Sequence, residues 1–303
     1  MLINHLLAAL PDTTIKQNLP LSPLCTLKAG GKAEIFAAPA SIEDMRILFE
    51  LVMNEGCPVY VLGGGSNVLF PDGLVKGVII STVNLKKIEW RTPITVDVDA
   101  GFRLPVLMKE LREHGLAGME FAAGIPGTVG GAIAGNAGAG GRGVCELADY
   151  VLTAEHDGTI RTWNNNDIDY SYRKCSLSEG KRVILSARMT FRAANHKDEE
   201  VLASYLLRRG TQPHGLSNAG CTFKNPEGQS AGKLLDECGC KGLSVGDAVV
   251  SDMHANFILN RGNASAYDVM ELIKICAVRV YDSTGIKLEP EIKIFSPDFC
   301  LEC

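Results

Sequence analysis

Basic excess and long hydrophobic runs are both missing from this chain of 303 residues. Lysine and arginine number 30 against 35 acidic residues, for a net charge of −5. Nothing in that balance attracts nucleic acid or an anionic membrane surface, so neither partner is expected. The N-terminus, Met1-Leu2-Ile3-Asn4-His5-Leu6-Leu7, has no basic n-region, and the first lysine is Lys16. No secretory signal is read there, and a cytoplasmic protein is expected. No internal repeat is visible, and the absence of G-x-x-x-x-G-K-[ST] excludes a P-loop. Cys238-Gly-Cys240 and Cys300-x-x-Cys303 lack a second clean pair or a His-x-x-x-His, so no metal site is expected. The ten cysteines are scattered, several in apolar contexts (Cys57, Cys145, Cys276), and read as free thiols in a reducing cytosol.

Charge is also missing locally, from the stretch around which the chain is organised. Between Glu120 and Arg142 no side chain is charged, and eight of the nineteen residues from Ala123 to Gly141 are glycine. Such a segment has few side chains to bury. It offers bare backbone, whose N–H groups form concavities for phosphate oxygens without a basic side chain. A membrane helix needs far more Leu, Ile, Phe or Val than Phe121, Ile125, Val129 and Ile133 supply. Gly138, Gly140 and Gly143 satisfy G-x-G-x-x-G formally, but no βαβ unit surrounds them. A plain linker stays open as an alternative, although Ile125, Val129 and Ile133 at four-residue spacing argue for order. The phosphate cradle is the preferred reading.

With 46% hydrophobic and 21% charged residues, the chain can bury sizeable cores, and its length suits two or three domains. Ala33–Phe36 reads as a strand, followed by a helix capped by Ser41 with Ile42, Met45, Leu48 and Val52 on one face and Gly56 at its end. The buried strand Val59–Leu62 runs into Gly63-Gly64-Gly65-Ser66-Asn67, a second cluster of backbone amides and short polar groups that suits phosphate better than a hairpin turn. Strands follow near 75–81 and 95–100, and a helix near 104–114. Beyond the glycine stretch come strands near 149–155, 159–163 and 183–191. Composition turns polar at 192–200, where a domain boundary is placed, and Val201–Arg209 reads as helix. Further on are a helix near 230–238, strands near 245–250 and 255–260, an amphipathic helix through Val269, Leu272, Ile273, Cys276 and Val280 ending at Gly285, and a last strand over 286–295. Two phosphate-type loops on an α+β scaffold imply a diphosphate ligand such as a dinucleotide.

Several of these motifs together resemble one family. Gly63-Gly64-Gly65-Ser66-Asn67, Gly124-Ile125-Pro126-Gly127-Thr128-Val129-Gly130-Gly131 and Asn136-Ala137-Gly138-Ala139 are similar to the FAD cradle of the UDP-N-acetylenolpyruvoylglucosamine reductases. Tyr172-Arg173, Ala219-Gly220-Cys221-x-Phe223-Lys224-Asn225-Pro226, Ala231-Gly232-Lys233-Leu234, His254-Ala255-Asn256-Phe257 and Leu288-Glu289-Pro290-Glu291 resemble the same family. The resemblance covers roughly residues 20–296.

It implies an α+β protein: a vanillyl-alcohol-oxidase (PCMH-type) FAD-binding fold over 23–192, its two subdomains split near 90–100, then a smaller α+β substrate domain over 200–303. Residues 1–22 would be an N-terminal segment. The implied enzyme is a flavin oxidoreductase of peptidoglycan synthesis, carrying non-covalent FAD and using NADPH to make UDP-N-acetylmuramate from UDP-N-acetylglucosamine enolpyruvate. Hydride passes from flavin N5 to the enolpyruvyl double bond, and an enolate-like intermediate is protonated at the neighbouring carbon.

By resemblance, Gly63, Gly64, Gly65, Ser66, Asn67, Gly124, Ile125, Pro126, Gly127, Thr128, Gly130, Gly131, Asn136, Ala137 and Gly138 hold the cofactor. Arg173 and Glu291 orient the intermediate, Cys221 donates the proton, and Lys224 and Asn225 lie near the substrate diphosphate. An enolate bearing a carboxylate calls for a fixed cationic fork, which arginine supplies better than lysine. The expected partner is a small nucleotide sugar, and the expected state a monomer.

The chain departs from the family pattern at three points. Residue 221 is cysteine in place of the usual serine, and residue 140 is glycine where many members have tyrosine. Only 47 residues separate Arg173 from Cys221, which marks the shorter class without a tyrosine-bearing insertion. Two rival readings are a sugar or alcohol oxidase on the same fold and a catalytically idle binding protein. Such oxidases often tether FAD through His or Cys, and Gly63–Asn67 holds neither.

Overall fold

The computed structural model describes residues 2–179, 182–213 and 215–295. Among these residues there are seven α-helices: α1 (Leu2–Ala9), α2 (Ile42–Asn54), α3 (Leu104–Glu113), α4 (Val129–Ala134), α5 (His196–Arg209), α6 (Ala231–Glu237) and α7 (Ala266–Thr284). The chain divides into two compact units that interleave in sequence. Unit 1 holds residues 1–17, 34–64 and 76–207, and unit 2 holds 18–33, 65–75 and 208–303.

Unit 1 carries two larger sheets beside two short two-stranded ones among the described residues. The first runs in the order Thr14–Pro20, Lys32–Ala38, Leu74–Ser81, Val59–Leu62, and its last pair is parallel, with Val59 opposite Val78. Its apolar face and helices α1 and α2 share a core of Leu6, Ile35, Met45, Leu48, Phe49, Val78 and Ile80. Helix α2 begins where its cap was read, since Ser41 Oγ accepts from Asp44 N at 3.0 Å.

The second sheet is antiparallel, in the order Ile160–Asn164, Ala148–Glu155, Arg182–Thr190, Thr95–Asp99, Ile88–Trp90. It packs with α3 and α4 around Val96, Val98, Leu107, Phe121, Val129 and Ile133. Alternation along Thr95–Asp99, buried at Val96 and Val98, is the period-2 pattern of a half-covered strand.

Unit 2 has an antiparallel sheet ordered Ser217–Asn218, Ile258–Asn260, Ala248–Val250, Ser244–Val245, sharing a core with α6 and α7. Helix α7 starts with a Ser265/Asp268 capping box and stops at Gly285, whose φ of 72° is the left-handed stop expected of glycine. Asp72 adds a second cap, accepting from Ala266 N at 3.0 Å and Tyr267 N at 2.9 Å.

Three sequence expectations need correction. The strand read over 245–250 is a tight hairpin, Ser244–Val245 against Ala248–Val250, turning at Gly246 with φ 51°. The strand read over 286–295 shrinks to Lys293–Ile294, parallel to Val68–Leu69. Pro290 lacks an N–H, so the preceding segment makes only a single bridge, Phe223 to Pro290, where a ladder was expected. The polar stretch 192–200 is partly helical, because α5 already begins at His196.

Candidate functional site

In unit 1 the strand Val59–Leu62 delivers Gly63 and Gly64 onto the glycine stretch. A Cβ on Gly63 would lie 2.6 Å from Thr128 Oγ1, and one on Gly64 would lie 2.8 Å from Gly127 Cα. Gly64 therefore packs against the backbone of the glycine stretch and Gly63 against the Thr128 hydroxyl, so a side chain at either position forces a neighbour to shift. Gly127, with φ 108°, needs glycine for conformation as well.

The glycine stretch then turns into the six-residue α4, which was not anticipated because glycine masks periodicity. Thr128 caps it, accepting from Gly131 N at 3.4 Å. Val129 N donates to Phe102 O (2.9 Å) and Gly130 N to Ala100 O (2.8 Å), so these first-turn amides are committed inside the protein. Gly130 is glycine because a Cβ would meet Ala100 Cβ at 2.7 Å.

Ile125 packs against the core, and its N–H bonds Ala122 O at 2.9 Å. Gly124, Ile125 and Pro126 form the loop leading to Gly127. Ala137 N donates to Ala132 O at 2.7 Å, and Gly138 passes so close to Arg142 O that a Cβ would stand 1.9 Å from it.

Arg173 sits at the tip of a hairpin in which Tyr170 faces Cys175 and Ser171 faces Lys174. Its φ is 58°, a left-handed conformation costing an arginine about 1–2 kcal/mol. Such strain persists where surrounding contacts over-determine it. The guanidinium donates from Nη1 to Gly138 O at 3.0 Å, and its Cζ lies 5.2 Å from the Tyr172 ring centroid. Gly140 has no side chain, but the Tyr205 hydroxyl from α5 comes within 2.6 Å of where a Cβ would be. Tyr205, absent from the sequence reading, thus covers the position that departs from the family pattern.

Gly65, Ser66 and Asn67 belong to unit 2. Gly65 O accepts from Thr26 N at 2.9 Å, and a Cβ on Gly65 would lie 2.0 Å from Leu24 O. Asn67 Nδ2 donates to Glu291 O at 3.0 Å, while Asn67 O accepts from Lys293 N at 3.0 Å.

The segment after Cys221 runs antiparallel to 289–291. Glu291 N donates to Thr222 O (2.7 Å), and Lys224 N donates to Glu289 O (2.8 Å). These bonds bring Glu291 beside the Cys221 segment. Asn256, 2% exposed, clamps the same segment from its other edge. Thr222 N donates to its carbonyl at 2.8 Å, and Phe223 N to its Oδ1 at 2.9 Å, while its Nδ2 donates to Phe223 O at 2.8 Å. The motif reading contained Asn256 but gave it no role.

Lys224 Nζ pairs with Glu289 at 3.0 Å, and Asn225 Oδ1 accepts from Ala231 N at 3.0 Å at the entry to α6. Cys221 is half-buried against Val249, Phe257 and Leu259. Arg209 lies within electrostatic reach of Cys221, its own pKa lowered by burial, and donates to Gln212 Oε1 at 2.5 Å. Its place in a polar helix hid it from sequence reading. Burial, with the positive charges of Lys241 and Arg208 nearby, lowers the pKa of His254, which accepts from Asn256 N at 3.2 Å.

Arg173 and the loops 63–64 and 124–138 thus belong to unit 1, whereas Cys221, Lys224, Asn225, Glu291 and 65–67 belong to unit 2. No group of three metal-binding side chains occurs among the described residues, and Cys300 and Cys303 lie outside them. None of the eight described cysteines is in a disulfide. Burial pushes the Cys25 thiol up to about 11. Among the described residues no helix is long and apolar enough to cross a membrane.

Two family models match the chain, over separate stretches of the sequence. Residues 33–163 match the FAD binding domain family, and residues 212–295 match the family described as UDP-N-acetylenolpyruvoylglucosamine reductase, C-terminal domain. The UDP-N-acetylenolpyruvoylglucosamine reductase of Geotalea uraniireducens is 38% identical, with 94% of this chain and 95% of that protein covered. That of Geobacter metallireducens is 40% identical over 92% and 93%.

The crystal structure of the Thermus caldophilus reductase superposes with a TM-score of 0.81 at 33% identity, covering 94% of this chain and all of that one. A berberine bridge enzyme, 13% identical with a TM-score of 0.51 over 64% of this chain and 44% of its own, shares the flavin-binding fold alone. The fold is therefore an α+β FAD-binding domain of the PCMH type followed by a reductase C-terminal domain. Similar to these relatives along nearly its whole length, the chain belongs to the family of UDP-N-acetylenolpyruvoylglucosamine reductases, FAD-dependent oxidoreductases.

Proposed function

We propose that the chain reduces UDP-N-acetylglucosamine enolpyruvate to UDP-N-acetylmuramate with electrons from NADPH, and that Cys221 donates the proton. The observation that carries this is the strand pair of unit 2, where Glu291 N bonds Thr222 O next to Cys221. In this reading residues 23–192 form the cofactor domain and 200–303 the substrate domain of a cytoplasmic monomer. Its partner is a nucleotide sugar, not nucleic acid or membrane.

FAD, when bound, supplies the hydride. Its pyrophosphate suits an uncharged backbone cradle, and the contacts that forbid a Cβ at Gly63 and Gly64 fit such a cradle. Gly63 to Asn67, Gly124 to Thr128, Gly130, Gly131, Ala137 and Gly138 are assigned to it, whereas the Asn136 amide is taken up inside unit 1 by Ser171 O and Cys145 N. The loop holds no His or Cys to tether the group, so acid denaturation is expected to release all the yellow colour.

Arg173, already fixed by Gly138 O, meets the substrate carboxylate, whose charge grows as the enolate forms. Glu291 orients that end of the substrate. Lys224 and Asn225 face the diphosphate, with Lys224 giving up part of its pairing with Glu289. Cys221 is assigned the proton transfer because a thiol is a better acid than a serine hydroxyl. Arg209 within electrostatic reach favours the thiolate left after transfer.

One anaerobic titration tests the reading. Stoichiometric NADPH is expected to bleach the flavin, and the enolpyruvyl substrate to restore its colour. A flavin bleached by a sugar alcohol but not by NADPH would make the chain an oxidase, and one bleached by neither a binding protein.

A further inference from the structure

The cofactor loop and the Arg173 hairpin, both within unit 1, are joined by a side chain whose neighbourhood is more polar than a glycine loop requires. Asn136 follows α4 with φ 38° and is 8% exposed. Its Nδ2 donates to Ser171 O at 2.9 Å, on the first strand of the hairpin. Its Oδ1 accepts from Cys145 N at 3.1 Å, on the return of the glycine loop. Two residues further on, Gly138 O accepts from Arg173 Nη1 at 3.0 Å.

One short loop therefore grips the hairpin twice, once at its strand and once at its catalytic tip. Gly143 leaves room for this: a Cβ there would stand 2.2 Å from Asn136 Oδ1. The polarity of the amide is used in both directions, donor toward the hairpin and acceptor toward the loop. A buried group so committed is costly to leave half-satisfied.

We propose that Asn136 is a positioning residue for Arg173, tying the hairpin to the cofactor loop and so setting where the guanidinium stands, and is not a contact of the cofactor. The catalytic half of this rests on the role given to Arg173 above; the tie itself does not.

Asn136→Asp is the sharpest probe, because aspartate keeps the size, tolerates positive φ and still accepts from Cys145 N. It loses only the donation to Ser171 O and sets a carboxylate against that carbonyl. Gly143→Ala is the second variant. Its φ of −144° suits alanine, and the three atoms nearest to the added Cβ are all of the Asn136 side chain.

With saturating FAD, limited trypsin cleavage after Arg173 and Lys174, mapped by mass spectrometry, is expected to speed up at least about tenfold in both variants, following the open population of the hairpin. The FAD dissociation constant should stay within about threefold, as should flavin reduction by NADPH. Flavin reoxidation by the enolpyruvyl substrate should slow at least about tenfold, and Asn136→Asp combined with Arg173→Ala should be no slower than Arg173→Ala alone.

Weaker FAD binding with unchanged cleavage would make Asn136 a cofactor contact and overturn the proposal. Additive losses in the double variant would overturn it as well. A parent protein that turns over no enolpyruvyl substrate overturns the proposed function and the catalytic half; the cleavage and FAD readings still decide the tie.

Discussion

Around Gly63–Gly64 and Gly124–Thr128, the polar atoms on offer belong to the backbone. Along 221–225 and 289–291 they belong to side chains, and the backbone is already occupied by strand-like bonds and by Asn256. The first region is built by excluding side chains: a Cβ at Gly63, Gly64, Gly130 or Gly138 would lie under 3 Å from a neighbouring atom. The second is built by holding side chains at fixed places on a clamped strand. A substitution in the glycine region should therefore act through shape and cofactor retention, whereas one in the strand pair should act through chemistry with the fold intact. Arg173 belongs to unit 1 by position yet to the second kind by its proposed role, with its guanidinium fixed by a glycine-loop carbonyl.

That exception gives the largest expected effect in unit 1. Arg173→Ala should slow reoxidation by the enolpyruvyl substrate by about 10²–10³, the usual loss for one donor to a developing oxyanion. Flavin reduction by NADPH should stay within about tenfold, or near 1.4 kcal/mol of barrier. Equal loss in both half-reactions, measured by stopped flow, would place Arg173 with the cofactor.

Next comes Gly64→Ala, whose Cβ must displace Gly127 Cα from 2.8 Å. Overpacking of this kind costs about 1–3 kcal/mol, read as a lower melting temperature. FAD should also leak from the variant on gel filtration. Full FAD retention with unchanged melting would break the account of the glycine contact.

Asp72→Ala should cost about 1 kcal/mol of unit 2 stability in denaturant unfolding, because Asp72 accepts from two N–H groups at the start of α7. Turnover of the folded variant should be unchanged. A Ser265→Ala variant that loses as much on its own, with Asp72→Ala losing nothing, would show the second cap to be redundant.

The smallest effect concerns acid. Asp198 takes hydrogen bonds from Arg192 and from Asn195 N, which hold its carboxyl down to about 2. Its folded value lies below the ordinary value of about 3.9, so its stabilisation is complete above pH ~4 and fades as pH falls toward 2. Asp198→Asn should flatten the acid limb of a stability-versus-pH curve only in that window. An unchanged limb would show the Arg192 pairing to be energetically silent.

The elements with period and punctuation were legible in the sequence. Helices α2, α3, α6 and α7 lie where caps, apolar spacing and terminal glycines put them, because those signals are local. Helix α4 was hidden, since a stretch of glycine carries almost no hydrophobic period; only Ile125, Val129 and Ile133 hinted at order. The last strand was overread because alternation over 286–295 says nothing of partners, and Pro290 denies the ladder a donor. The motifs named the candidate residues, but their bonding partners are distant in sequence. Nothing local announces that Tyr205 covers Gly140, that Asn256 clamps Thr222 and Phe223, or that segments 18–33 and 65–75 join unit 2. Such contacts depend on chain closure over long separations, which leaves no local pattern.

The central claim, that the strand pair of unit 2 carries chemistry and not cofactor retention, is tested most directly at Cys221. The measurement is stopped-flow reoxidation of NADPH-reduced Cys221→Ala by UDP-N-acetylglucosamine enolpyruvate, beside Cys221→Ser and the parent protein. Both variants should bind FAD and be reduced by NADPH at the parent rate. Cys221→Ser should retain substantial turnover, and Cys221→Ala should lose about 10²–10⁴ in completing the reaction, the range for a missing general acid. A Cys221→Ala protein that completes the reaction at close to the parent rate would remove Cys221 from the mechanism and contradict the account.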